Sequence, residues 1–167
     1  MPTPKISFEF FPPQTFEASF RLWNTVQTLS PLSPEFVSVT YGAGGTTRDL
    51  THEAVSVLHR ETGLNVAAHL TCVDATKQET LNIAKSYHQA GVTSIVALRG
   101  DAPEGQANFV PHSDGFADSV ELIQALADLD LFTLRVGAYP EKHPEAADQD
   151  QDIAWLKRKL DAGATEA

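Results

Sequence analysis

Five times along this chain a short apolar run rich in β-branched and aromatic residues gives way to a stretch with helical periodicity. That alternation limits the possible folds more than any other feature. The runs are KISFEF (5–10), EFVSVT (35–40), NVAAHLT (65–71), TSIVALR (93–99) and FTLRVGAY (132–139). Their spacing is near the roughly 30 residues of a βαβ unit. Strict β-then-α order requires parallel strands joined by right-handed crossovers, so the chain is an α/β fold, either a barrel or an open doubly wound sheet. No low-complexity tract or linker divides the units, and 167 residues amount to one domain or most of one.

Each intervening helix has readable faces or ends. Phe16, Phe20 and Trp23 recur at i, i+4 and i+7, which predicts the buried face of the first. The second is predicted from about Arg48 to Glu61, with Gly63 as its C′ residue. Thr76 and Glu79 have capping-box spacing at the start of the third, which ends at Gly91. The fourth turns Val120, Ile123 and Ala127 to one side and closes near Asp130, and the last runs from near Asp152 to Gly163.

Composition narrows the function classes. A net charge of −10 with only 12 Lys plus Arg argues against general binding of nucleic acid, which needs basic patches over phosphate. The single cysteine, Cys72, permits no internal disulfide and reads as a small apolar filler. No apolar run approaches the roughly 18 residues of a membrane span, and the first residues lack signal-peptide character, so no membrane contact and a cytoplasmic location are expected. His69, Asp101, His112, Asp114 and His143 are metal-ligating types, but no H-x-x-x-H or C-x-x-C spacing joins them and no metal site is expected. Gly42, Gly44 and Gly45 form a loop free to approach a phosphate, without the G-x-G-x-x-G pattern of a dinucleotide fold.

One acid stands out. Glu9 interrupts the first apolar run just before Pro12 and Pro13, which end the strand because they donate no ladder hydrogen bonds. Strand alternation puts Ile6, Phe8 and Phe10 on one face and Glu9 on the other. Pattern alone leaves two readings for Glu9, a position inside the mouth of a barrel or a solvent-facing place on an edge strand. Polar residues recur where the other strands end: Thr40, His69 with Thr71, Arg99 with Asp101, and Tyr139 with His143. Five polar strand ends in step point to a site on one rim, where α/β barrels keep their chemistry.

The segments SFEFFPP, FVSVTYGAGG, AAHLTC, ALRGD, AYPEKHPEA and LKRKLDAGA, in this order and spacing, resemble the methylenetetrahydrofolate reductase family from Ile6 to the last residue. The resemblance implies a (β/α)8 TIM barrel, of which residues 1–167 would be a partial catalytic domain holding about five of the eight units. It implies FAD at the C-terminal rim, reduced by NADH or NADPH, and hydride delivery to 5,10-methylenetetrahydrofolate to give 5-methyltetrahydrofolate for one-carbon and methionine metabolism. Glu9 then matches the general acid, and Asp101 an acid near flavin and pterin. Thr40, His69, Leu98, Arg99, Gly100, Asp101, Ala138, Tyr139 and His143 match the flavin-contacting motifs. Asp152, Trp155, Arg158 and Lys159 fall where the family contacts the rest of FAD, Arg158 and Lys159 being suitable cations for a pyrophosphate. An enclosed, Phe-rich setting is expected for Glu9. With five units, the fifth strand is expected to be a bare edge, the interior side chains to be apolar and short of partners, and the chain to be a homo-oligomer. The alternative reading is an inactive flavin-binding or interaction fragment of such a barrel.

Overall fold

The computed structural model describes residues 4–41, 48–102, 105 and 108–167; the glycines 42, 44 and 45 lie outside the described residues. Five parallel strands, β1 (Ser7–Phe10), β2 (Phe36–Val39), β3 (Val66–Thr71), β4 (Ser94–Leu98) and β5 (Thr133–Arg135), form one sheet in chain order. Between and after them come α1 (Phe16–Leu29), α2 (Arg48–Thr62), α3 (Lys77–Gln89), α4 (Ser119–Ala127) and α5 (Gln149–Asp161). A doubly wound sheet reverses strand order at a switch point. The uninterrupted order β1 to β5 has no reversal, so the sheet is an arc of a TIM-barrel-like fold.

Alternation sorts the sheet into two faces. Phe10, Val37, Val39, Val66, Ala68, Leu70, Ile95, Ala97 and Leu134 pack under the helices, against Val26 of α1, Val55 and Leu58 of α2, Tyr87 of α3, and Leu122, Ile123 and Leu126 of α4. Removal of this apolar surface from water is the main force holding the arc together. The opposite face is mixed, not the purely apolar interior expected from the sequence, since Phe36, Ala67, Val96 and Leu98 share it with polar side chains. It carries Glu9, Ser38, His69, Thr71, Ser94 and Arg135, all but Glu9 buried. Buried polar groups persist when they are partnered. Arg135 illustrates this, lying 4.2 Å from the centre of the Phe36 ring, donating to Ser94 Oγ and pairing with Glu166 at 2.8 Å.

The edge at β5 also departs from expectation. Leu134 O accepts from Thr165 N–H at 2.9 Å, and Glu166 O accepts from Val136 N–H at 3.0 Å. A parallel bridge between Arg135 and Glu166 therefore covers part of the edge. A second correction concerns α1. Phe16 and Phe20 are 89% and 61% exposed, and Val26 is the buried residue of the helix, with Leu22 and Leu29 packed beside it. The inward face is therefore 22, 26 and 29. The other helices follow their sequence signals more closely. Thr76 and Glu79 form the predicted capping box, while α5 starts at Gln149, capped by Asp148, ahead of the expected Asp152.

Candidate functional site

Strand β4 ends at Leu98 and β5 at Arg135, and the segments that follow them reach α4 and α5 across a cavity of about 680 Å³. That volume suits a small molecule or cofactor. Its wall contains Arg99 from the end of β4, Ala138, Tyr139 and His143 from the segment after β5, and Asp152, Trp155, Arg158 and Lys159 from α5. These residues lie far apart in sequence, and parallel topology delivers them because every strand ends on the same side.

Local contacts set their directions. Lys159 Nζ donates to Gly137 O at 2.9 Å, and burial pulls its amine below the usual lysine range, opposed by the Asp152 carboxylate. The Arg158 guanidinium lies 4.3 Å from the Trp155 ring centre. Tyr139 and His143 meet edge to face at 4.8 Å, and the His143 N–H donates to Asp152 Oδ2 at 3.1 Å. Arg99 Nη1 and Nη2 donate to the two Glu145 oxygens at 2.6 and 2.9 Å, while Phe109 stands 5.1 Å from the guanidinium. The cavity thus combines aromatic surfaces with three cationic side chains and the carboxylates Asp118, Glu145 and Asp152, a lining of mixed charge that suits a ligand carrying rings and polar groups.

The remaining candidates do not line this cavity. Glu9 and His69 meet on the inner face of the sheet, Glu9 Oε2 3.4 Å from His69 Nε2, although β2 separates their strands. Ser38 lies level with Glu9 in the register, and its small side chain leaves room for that contact. His69 is 7% exposed, and its Nε2 has no hydrogen bond. Burial lowers the imidazole pKa below the ordinary 6.5, with the Glu9 carboxylate opposing the shift. The enclosed Phe-rich setting expected for Glu9 is absent. Its side chain is 57% exposed, because alternation turns Phe8 and Phe10 to the helix side.

Thr40 stands just past β2, its carbonyl accepting from Thr51 Oγ1 at 3.0 Å. Leu98 closes β4, and Asp101 is exposed two residues beyond Arg99. Gly100 has φ +87°, and a Cβ there would fall 2.4 Å from Val73 Cγ2. Its identity therefore has a conformational cause whatever its ligand role.

Several cavity residues were not found by sequence reasoning: Phe109, Ala117, Asp118, Glu145 and Ala146. Asp118 had a signal, since with Glu121 it has capping-box spacing, and its Oδ1 accepts from Val120 and Glu121 N–H. Glu145 lies within a motif that was read, but its partner Arg99 is 46 residues away. Phe109 sits in an irregular segment without periodicity.

Comparison with known proteins gives a consistent result. A family model described as methylenetetrahydrofolate reductase matches residues 2–167. Over 162 residues the chain is 49% identical to the 5,10-methylenetetrahydrofolate reductase of Salmonella typhimurium and 48% identical to that of Escherichia coli, covering 97% of this chain and 53% of each relative. It is 36% identical to methylenetetrahydrofolate reductase (NADH) 1 of Arabidopsis thaliana, covering 95% of this chain and 28% of that protein. The chain thus spans about half the length of its bacterial relatives. Among solved structures, a putative lyase/mutase from Burkholderia cenocepacia superposes with a TM-score of 0.62 at 22% identity, covering 97% of this chain and 58% of that one. A 2,3-dimethylmalate lyase gives 0.57 at 12% identity, covering 96% and 56%. At such identities the likeness is one of fold.

Proposed function

Because this chain belongs to the methylenetetrahydrofolate reductase family, we propose that it carries the cofactor cavity and the proton donor of a reductase converting 5,10-methylenetetrahydrofolate to 5-methyltetrahydrofolate. The electrons come from NADH or NADPH through FAD. The observation that carries this reading is the 680 Å³ cavity, which gathers Arg99, Arg158 and Lys159 with Tyr139 and Trp155. FAD, when bound, supplies hydride transfer in and out. Arg158 and Lys159 would neutralise its pyrophosphate, one as a planar fork and the other as a point charge. Tyr139 and Trp155 offer flat surfaces to its rings. The name of the Arabidopsis relative specifies NADH, which supports a nicotinamide as the reductant.

Glu9 would give its proton to the folate nitrogen that leaves the methylene carbon. The carbon–nitrogen bond breaks, its electron pair takes the proton, and the lone pair of the other nitrogen forms an iminium with the methylene carbon, which is the atom that accepts hydride. General acid catalysis needs the donor within hydrogen-bond reach of that atom, and an exposed Glu9 at the mouth of the arc is open to such an approach. Asp101 would supply a second carboxylate on the same rim. We place this activity in the cytoplasm; among the described residues no helix is long and apolar enough to cross a membrane. A second reading, a flavin-holding fragment without turnover, is favoured by one observation: Glu9 and His69 are not on the cavity wall.

Two mixing experiments test the reading on the FAD-loaded chain. NADH should bleach the flavin absorbance, and 5,10-methylenetetrahydrofolate should then restore it. Glu9→Gln should keep the first step and lose the second. Equal loss in both steps would remove Glu9 from its role, and bleaching without recovery in the unaltered chain would favour the second reading.

A further inference from the structure

We infer that Glu145 is a positioning residue of the cavity, holding the Arg99 guanidinium in a set orientation and latching the segment after β5 to the end of β4. The inference rests on the flavin reading for its ligand but not for its structural basis. From residues 138–148, Ala138, Tyr139, His143, Glu145 and Ala146 line one wall of the cavity. Most of their polar contacts are local: His143 N–H to Asp152, Glu145 N–H to His143 Nδ1, and Ala147 N–H to Gln151 Oε1 at 2.7 Å. Among the described residues, the Lys159 Nζ bond to Gly137 O stays within the segment that follows β5, and the side-chain hydrogen bonds that tie that segment and α5 to the rest of the chain run between Glu145 and Arg99.

That contact is two-pronged, and a fork matched to both carboxylate oxygens fixes direction as well as distance. Arg99 Nε donates in addition to Gly100 O at 3.2 Å, and Phe109 stands over the guanidinium at 5.1 Å. The plane of Arg99 is therefore set by three partners before any ligand arrives. Preorganisation of this kind strengthens binding by removing the cost of ordering a long side chain and a loop. Glu145 follows β5, with β4 between that strand and the strand of His69, and its carboxylate is engaged by Arg99. Its contribution is made through Arg99.

The test uses two readouts on the same variants. In the FAD titration, Glu145→Gln should raise the Kd roughly three- to tenfold, the range for a partly exposed but bidentate pair. Arg99→Gln should also weaken binding, and the double variant should be no weaker than Arg99→Gln, because the carboxylate acts only through that arginine. Without ligand, backbone amides of residues 143–147 should exchange with deuterium several-fold faster in Glu145→Gln and in Arg99→Gln alike. Tighter FAD binding by Glu145→Gln would overturn the inference by making the carboxylate a competitor for Arg99. Losses that add in the double variant, or unchanged exchange, would overturn it as well. If the unaltered chain does not bind FAD the flavin reading fails, and the exchange measurement still decides the latch.

Discussion

Protonating His69 in the folded chain means placing a charge where burial leaves it little solvent and where the one opposing influence is the Glu9 carboxylate. Its folded pKa is lowered, so above 6.5 the imidazole is neutral in both states and stability is complete. As the pH falls below 6.5 the unfolded chain takes up the proton first, and stability is lost until the lower folded midpoint is reached. Urea midpoints at about pH 7.5 and about pH 5.5 should therefore differ less in His69→Gln than in the unaltered chain. An undiminished difference would mean that other groups control the response. In Glu9→Gln the imidazole midpoint, followed by NMR, should fall further, since the attraction that favours the cation is gone. Gly100 gives a second prediction at this scale. Alanine there would adopt a left-handed backbone and press against Val73, so Gly100→Ala should cost about 2 kcal/mol in denaturant unfolding. Glu9, His69 and Gly100 were all legible in the sequence as residues of interest. The exposure of Glu9 and the closeness of Val73 to Gly100 were not, because both depend on residues that only folding brings near.

Helix α1 shows how far periodicity carries. Phe16, Phe20 and Trp23 satisfy helical spacing, and so do Leu22, Val26 and Leu29. The aromatic set has more surface, yet the aliphatic set faces the sheet. Which face wins is settled by the shape of the strands beneath, which the helix sequence does not contain. Val26→Ala should therefore destabilise by about 2 kcal/mol through lost burial and a partly collapsed cavity. Phe20→Ser should change stability by under about 0.5 kcal/mol, as for an ordinary surface position. The opposite ranking in chemical denaturation would restore the aromatic face. Where a signal is local it was read well: the Thr76–Glu79 capping box depends on adjacent backbone alone. The start of α5 was placed late because Asp148, Asp150 and Asp152 all qualify as caps, and the bond from Gln151 N–H selects the first. β5 is shorter than its apolar run because strand limits follow pairing with β4.

At the scale of the whole molecule, alternation of strand and helix was enough to establish parallel order, and the continuous order β1 to β5 distinguished a barrel arc from a doubly wound sheet. The same topology gathers strand ends on one side, so a rim site was legible in outline. Its division into a cavity beside β4 and β5 and a Glu9–His69 pair on the inner face was not, since neither pattern nor motif encodes distances between loops. The polar share of the inner face was equally hidden, because Arg135 becomes acceptable there only with Phe36, Ser94 and Glu166 around it. The central claim is that these residues form a flavin cavity. Titration of the purified chain with FAD, following quenching of flavin fluorescence, tests it most directly. Saturation at about one FAD per chain is expected, with binding weakened in Arg158→Ala and Lys159→Ala as anion contacts are removed. A folded chain that leaves the fluorescence unchanged would contradict it.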